Sequence, residues 1–176
     1  MKGKIFTAQE VRAIMRADKT QFREAIKPQP NSEINPVYLK ECNSWQWSTK
    51  ESRRECPYQV GQKIFVKESF ADFRNNNSNI FYKLDFEINN LTRIADIKWK
   101  PAQHMKQEHS RIILQIKEIR VERLKDILEF EAFKKEGMPS GTPIYWFAEE
   151  WDSTHKKPEE KFEANPWVWV INFEVI

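Results

Sequence analysis

Only two cysteines, Cys42 and Cys56, and four glycines occur in the 176 residues. Two thiols cannot build a disulfide framework, and four glycines leave little scope for a glycine-rich phosphate cradle. No phosphate-binding Gly loop, H-E-x-x-H pair or Ser-His-Asp order is present, which removes the common nucleotide-loop, zincin and serine-triad chemistries. The longest apolar runs are far too short to span a bilayer, and no basic region followed by a long apolar one stands at the N-terminus. The expectation is a cytoplasmic protein with no membrane partner. A dominant charge is missing too: 29 Lys and Arg stand against 26 Asp and Glu, a formal +3. A nucleic-acid partner is therefore permitted, but clustered cations rather than net charge would have to carry it.

Aromatics and charge are plentiful. The chain is 40% hydrophobic and 13% aromatic, with seven Trp and twelve Phe, enough for a packed core despite 31% charged residues. Its length suits one domain, residues 1–176. Cys42 and Cys56 with His104 and His109 lack the close CxxC-type spacing of a zinc site, so neither a metal nor a cofactor is expected.

Lys4 to Phe6 reads as a strand, and Thr7-Ala8-Gln9-Glu10 has the form of a capping box for a helix from about Ala8 to Arg16, with Val11, Ile14 and Met15 on one face. From Lys19 an extended segment runs to Lys27-Pro28-Gln29-Pro30, where the prolines forbid helix. Residues 31–55 show no period and read as a long loop or insertion carrying Trp45 and Trp47. After Gly61 a strand places Ile64, Val66 and Phe70 inward, the polar run Arg74 to Asn79 is a turn, and Ile80 to Leu84 returns as the second strand of a hairpin. Between Ile116 and Ile119 the inward parity of the Arg111 to Val121 strand slips by one, as a β-bulge would require. Short helices are predicted near Glu129 to Glu136, stopped by Gly137, and near Ile144 to Trp151, within a second insertion at 139–161. Trp167, Trp169, Ile171, Phe173 and Val175 alternate with period two, the clearest strand of the chain. The sum is an α+β chain: a small, curved, mostly antiparallel β-barrel with short flanking helices.

Two basic segments could carry chemistry. On a regular strand Lys19, Gln21 and Arg23 share one face, opposite Thr20, Phe22 and Glu24. Either that face is a solvated basic edge, or it walls an anion or nucleotide pocket in which Lys19 acts as a phosphate ligand or as a base of lowered pKa. The second segment, Lys98-Trp99-Lys100-Pro101 with His104, Lys106, His109 and Arg111, interleaves an aromatic with cations. That is the logic of single-stranded nucleic-acid binding, though Trp99 in the core beside snorkelling lysines fits as well. Glu136, freed beside Gly137, and Glu68 on the Ile64 to Phe70 strand are candidate carboxylates.

The blocks "ADKTQFREAIKPQP", "CPYQVGQKIFVKESF", "WKPAQHM", "SRIILQI", "VERLKDI", "EGM" and "ANPWVWVINFEVI", in this order, resemble bacteriophage- and prophage-encoded proteins of the ASCH family in the PUA-like superfamily. The resemblance leaves out residues 31–55 and 139–161. It implies a PUA-like barrel with flanking helices and a cleft for RNA or a modified nucleoside; the residues expected to line such a cleft are Lys19, Arg23 and Glu136 with Trp99, Lys100 and Arg111, and Glu68 and His104 are further binding candidates. The family signature GxKxxTxR falls on Ala17, Lys19, Phe22 and Glu24, so the lysine matches, and Arg23 stands one position before the signature's Arg. In an enzymatic branch that deacetylates acetylcytidine, the signature Lys and Thr act with a Glu just ahead of a Met, which here are Lys19, Phe22 and Glu136. A phenyl ring cannot attack a carbonyl. Binding of RNA or a modified nucleoside by a phage accessory protein is therefore the first expectation. The alternative is an amidohydrolase on acetylcytidine-type nucleosides, or a ribonuclease, with Lys19 and Glu136 catalytic.

Overall fold

A computed structural model of the chain describes residues 1–30, 35–39, 44–48, 53–72, 80–88, 97–128, 135–137 and 144–176. In chain order its elements are β1 (Lys2–Ile5), α1 (Ala8–Met15), β2 (Gln21–Ala25), β3 (Asn35–Leu39), β4 (Ser44–Ser48), β5 (Arg53–Glu55), β6 (Lys63–Lys67), β7 (Phe70–Asp72), β8 (Ile80–Tyr82), α2 (Lys83–Ile88), β9 (Ile113–Arg123), α3 (Ile144–Thr154) and β10 (Trp167–Val175). Five strands form one sheet in the order β1-β6-β9-β10-β2. The architecture is mixed α+β, as its pattern predicts. Among the described residues the expected barrel is not closed: β1 and β2 end the sheet, and the β1–β6 pair is parallel. The short segment 135–136 lies beside residues 19–20, with Thr20 N donating to Lys135 O at 2.9 Å and a Lys19–Glu136 bridge.

The chain forms two units, the first from Met1–Arg16, Lys63–Gln115 and Val175–Ile176. Here the capping box closes α1 as its residues dictate: Thr7 Oγ1 accepts from Glu10 N, and Glu10 Oε2 accepts from Thr7 N at 2.8 Å. Val11 and Ile14 are buried, as are Ile64, Phe65, Val66, Phe70 and Leu114. The hairpin has a different first strand from the one expected. Strand β6 pairs with β1 and β9, while β8 pairs with β7, because the chain leaves the large sheet after Lys67. From Lys83 it is helix α2, where strand was expected to continue; the predicted turn at Arg74 to Asn79 lies outside the described residues.

The second unit comprises Ala17–Gln62 and Ile116–Glu174. Residues 31–55, expected to be loop, contain the antiparallel sheet β3-β4-β5; the side chains of Trp45 and Trp47 on β4 lie outside the described residues. In β9, Ile116 and Ile119 are buried with Lys117 and Glu118 exposed between them, the parity slip read from the sequence. Strand β10 departs from simple alternation, since Val168, Trp169, Val170 and Ile171 are all buried. It is an interior strand, between β9 and β2, and both of its faces are covered. Val168, Val170 and Ala25 pack with Leu124, Ile127, Phe147 and Trp151, the last two from α3. Truncating Trp151 to Ala would cost about 3–5 kcal/mol.

Candidate functional site: a buried ion cluster

Residues directly opposite in an antiparallel pair share a face of the sheet. Strand β2 sets Ala25 opposite Val168, Arg23 opposite Val170 and Gln21 opposite Asn172. One face of the second unit thus runs from apolar, beneath Phe147 and Trp151, to polar at Arg23, Gln21 and Asn172. The opposite face of β2 carries Phe22, which is buried against Tyr58 and Phe173 at 5.4 and 6.0 Å between ring centroids.

At the polar end Lys19, Arg23 and Glu136 are 4%, 7% and 6% exposed. Lys19 Nζ donates to Glu136 Oε2 at 2.9 Å and to Glu136 O at 3.0 Å. Arg23 Nη1 donates to the other oxygen, Oε1, and Nη2 to Glu122 Oε2 at 3.3 Å. Arg120 extends the chain of contacts: its Nε is bonded to Glu122 Oε1, Nη1 is 3.3 Å from Asn172 Oδ1, and Nη2 is 3.3 Å from Gln21 Oε1. Asn172 in turn donates to Glu118 Oε2 at 2.6 Å. Among the described residues, Lys19, Arg23 and Arg120 therefore face three carboxylates, Glu136, Glu122 and Glu118, and these six charges cancel. Among the described residues Arg23 Nε has no hydrogen-bond partner, although it is buried.

Local backbone places both ends of this chain of charges. Ala17 has φ 60°, the left-handed conformation that commonly ends a helix and that favours glycine. Gly137, with φ 78°, turns the chain immediately after Glu136. Lys19 is buried and Thr20 exposed, so the run beginning at Lys19 is not the solvated edge its charge density allows.

The remaining candidates fall in the first unit. Arg111 donates through Nε and Nη2 to the two oxygens of Glu68, each at 2.9 Å, and through Nη1 to Asp85 at 2.7 and 2.9 Å. Trp99 is half-buried and meets Phe86 edge-on at 5.3 Å. Lys100 Nζ lies 3.6 Å from Asp72 Oδ2 and over the Phe70 ring, and His104 is exposed beside Gln103. Cys56 is buried, and among the described residues no group of three His, Cys, Asp or Glu is placed to hold a metal ion. No helix among them is long and apolar enough to cross a membrane.

Sequence reading passed over Arg120, Glu122 and Asn172. The available signal was the strand parity of β9, where Arg120 and Glu122 share the face opposite Ile119 and Val121; alternating charges on a strand face ordinarily mean solvent. No protein-family model, curated protein or solved structure matches the chain.

Proposed function

We propose that the Lys19–Arg23–Glu136 cluster is the recognition site of a domain that binds a modified nucleoside, free or within RNA, through the hydrogen-bonding edge of its base. The observation that carries this reading is the joint burial of two cations and a carboxylate that bridges them. A buried ion pair is a poor device for stability, because desolvation offsets most of its Coulomb gain. Clustered buried titratable groups are instead frequent at functional sites. Among the described residues Glu136, Glu122 and Glu118 offset Lys19, Arg23 and Arg120, and donors and acceptors alternate over a short distance, as they do on an amide-bearing heterocycle, whereas phosphate recognition asks for net positive charge. The resemblance to ASCH proteins supports the same ligand class.

Calorimetric titration of acetylcytidine, with cytidine and a short single-stranded RNA alongside, tests the reading. Acetylcytidine should bind with little dependence on salt, and Lys19→Ala should abolish binding in a protein that still folds. A steep salt slope for RNA with no affinity for the nucleoside would replace this reading with a backbone-binding one.

A second reading, hydrolysis of the acetyl amide, is favoured by the 2.9 Å contact of Lys19 Nζ with the Glu136 carboxylate, since such a pair can deliver a proton to a leaving amine. Phe22 carries no nucleophile and faces away from Lys19, so water would attack the carbonyl. Acetate and cytidine released by the wild type, and by neither Lys19→Ala nor Glu136→Gln, would establish it. No turnover above those variants would leave the site as a binding site.

A further inference from the structure

The Arg23 guanidinium is almost wholly buried, its side chain 1% exposed, and its two terminal nitrogens go to different carboxylates, Glu136 and Glu122. Left to itself, a guanidinium prefers to grip one carboxylate with two parallel hydrogen bonds. That grip would put a second cationic donor on Oε2, which Lys19 uses, so that the two cations would compete for one oxygen. Glu122 opposes it by drawing Nη2 toward its own Oε2 at 3.3 Å. Glu122 is itself pinned, its other oxygen being held by Arg120, whose remaining nitrogens reach Asn172 and Gln21.

We propose that Glu122 is a positioning residue: by holding Arg23 from the β9 side, it keeps one oxygen of Glu136 for Lys19. The inference rests on the functional reading above only in what the Lys19–Glu136 pair is for; the geometry it assigns to Glu122 stands apart from any ligand. Arg120 serves the same end one step removed, as the clamp on Glu122.

The test is hydrogen exchange at the Lys19 ammonium, read by nitrogen-detected NMR on ¹⁵N-lysine protein, in wild type, Glu122→Gln and Glu163→Gln. The wild-type ammonium should be protected. In Glu122→Gln, Arg23 should close on both Glu136 oxygens, and exchange at Lys19 should rise on the order of tenfold, as expected from losing one charge-assisted hydrogen bond. Glu163→Gln, an exposed carboxylate of the same unit that is paired with Lys125 outside the network, should match wild type. Unchanged protection in a folded Glu122→Gln protein would overturn the proposal. Should that variant not fold, Arg120→Gln releases Glu122 more gently and is expected to raise exchange in the same direction, again with no change counting against the proposal. Acetylcytidine affinity is measured on the same samples. It should weaken with Glu122→Gln in step with exchange, whereas a wild type with a protected ammonium and no affinity would sink the functional reading and leave the positioning role to be decided by exchange alone.

Discussion

Each of the two units contains an arginine held by two carboxylates, and the two arginines are used differently. In the first unit Arg111 spends Nε and Nη2 on both oxygens of Glu68, spends Nη1 on both oxygens of Asp85, and lies over the Tyr82 ring at 4.0 Å. Burial alone would lower its pKa, but the hydrogen bonds to Glu68 and Asp85 outweigh it and raise it. Every carboxylate oxygen there is matched to this one guanidinium. In the second unit Arg23 gives one nitrogen to each of two carboxylates, leaves Nε unmatched among the described residues, and shares Glu136 with a lysine. A saturated fork is a structural clamp. A shared carboxylate between two different cations can exchange partners, and that capacity is what ligand recognition or proton transfer needs.

The largest expected effect comes from removing the shared group. Glu136→Ala removes the carboxylate that bridges buried Lys19 and Arg23, and breaking a buried pair from one side costs about 3–5 kcal/mol. Urea unfolding at neutral pH measures it. A loss below about 1 kcal/mol, the range of exposed pairs, would mean that water reaches the cluster easily and that the contrast between the two arginines is not one of burial.

Arg111→Ala comes next. It strands Glu68, whose side chain is 5% exposed, but Asp85 is 41% exposed and can be hydrated. The expected loss is about 3 kcal/mol, the low end of the range for breaking a buried pair. Acetylcytidine affinity should remain at the wild-type value once the protein is folded. Altered affinity in this variant would erase the division into a clamp and the proposed recognition site.

The sequence disclosed these clusters unequally, for physical reasons. Local rules act within a few residues, so the Thr7–Glu10 capping box, the parity slip between Ile116 and Ile119 and the turn after Glu136 were all legible. Lys19, Gln21 and Arg23 could be placed on one face from strand geometry alone. Nothing local sets Lys19 beside Glu136, 117 residues away, and only a family resemblance linked the two. Arg120 and Glu122 were hidden because a charged alternation looks the same whether it meets solvent or another charge. The sheet β3-β4-β5 was hidden because short strands with Asn, Ser and Trp carry no clean period. Burial of both faces of β10 depends on its having neighbours on each side, which a single-strand pattern cannot report.

The smallest effect separates the two units by titration. Tyr58, in the second unit, donates to Glu24 Oε1 at 2.7 Å. Burial first, and then the charge and hydrogen bond of Glu24, hold its pKa above the ordinary tyrosine range. Tyr82, in the first unit, is also raised by burial, but the cation above its ring pulls the other way. A folded-state pKa above the unfolded value means that the unfolded chain loses this proton first. The contribution to stability is therefore complete below the unfolded pKa of about 10, and it drains away as pH rises toward the folded value. Each such group steepens the alkaline loss by about 1.4 kcal/mol per pH unit once the unfolded tyrosine is ionised. Tyr58→Phe should cost about 1 kcal/mol near neutrality, for the lost hydrogen bond to Glu24. Above pH 10 the gap should close, because the phenylalanine has no proton to lose. Tyr82→Phe should close its gap less, since Arg111 opposes the shift. Urea midpoints from pH 8 to 11 decide it: a wild-type and Tyr58→Phe difference that stays constant over that range would show that the Tyr58 hydroxyl ionises as freely folded as unfolded.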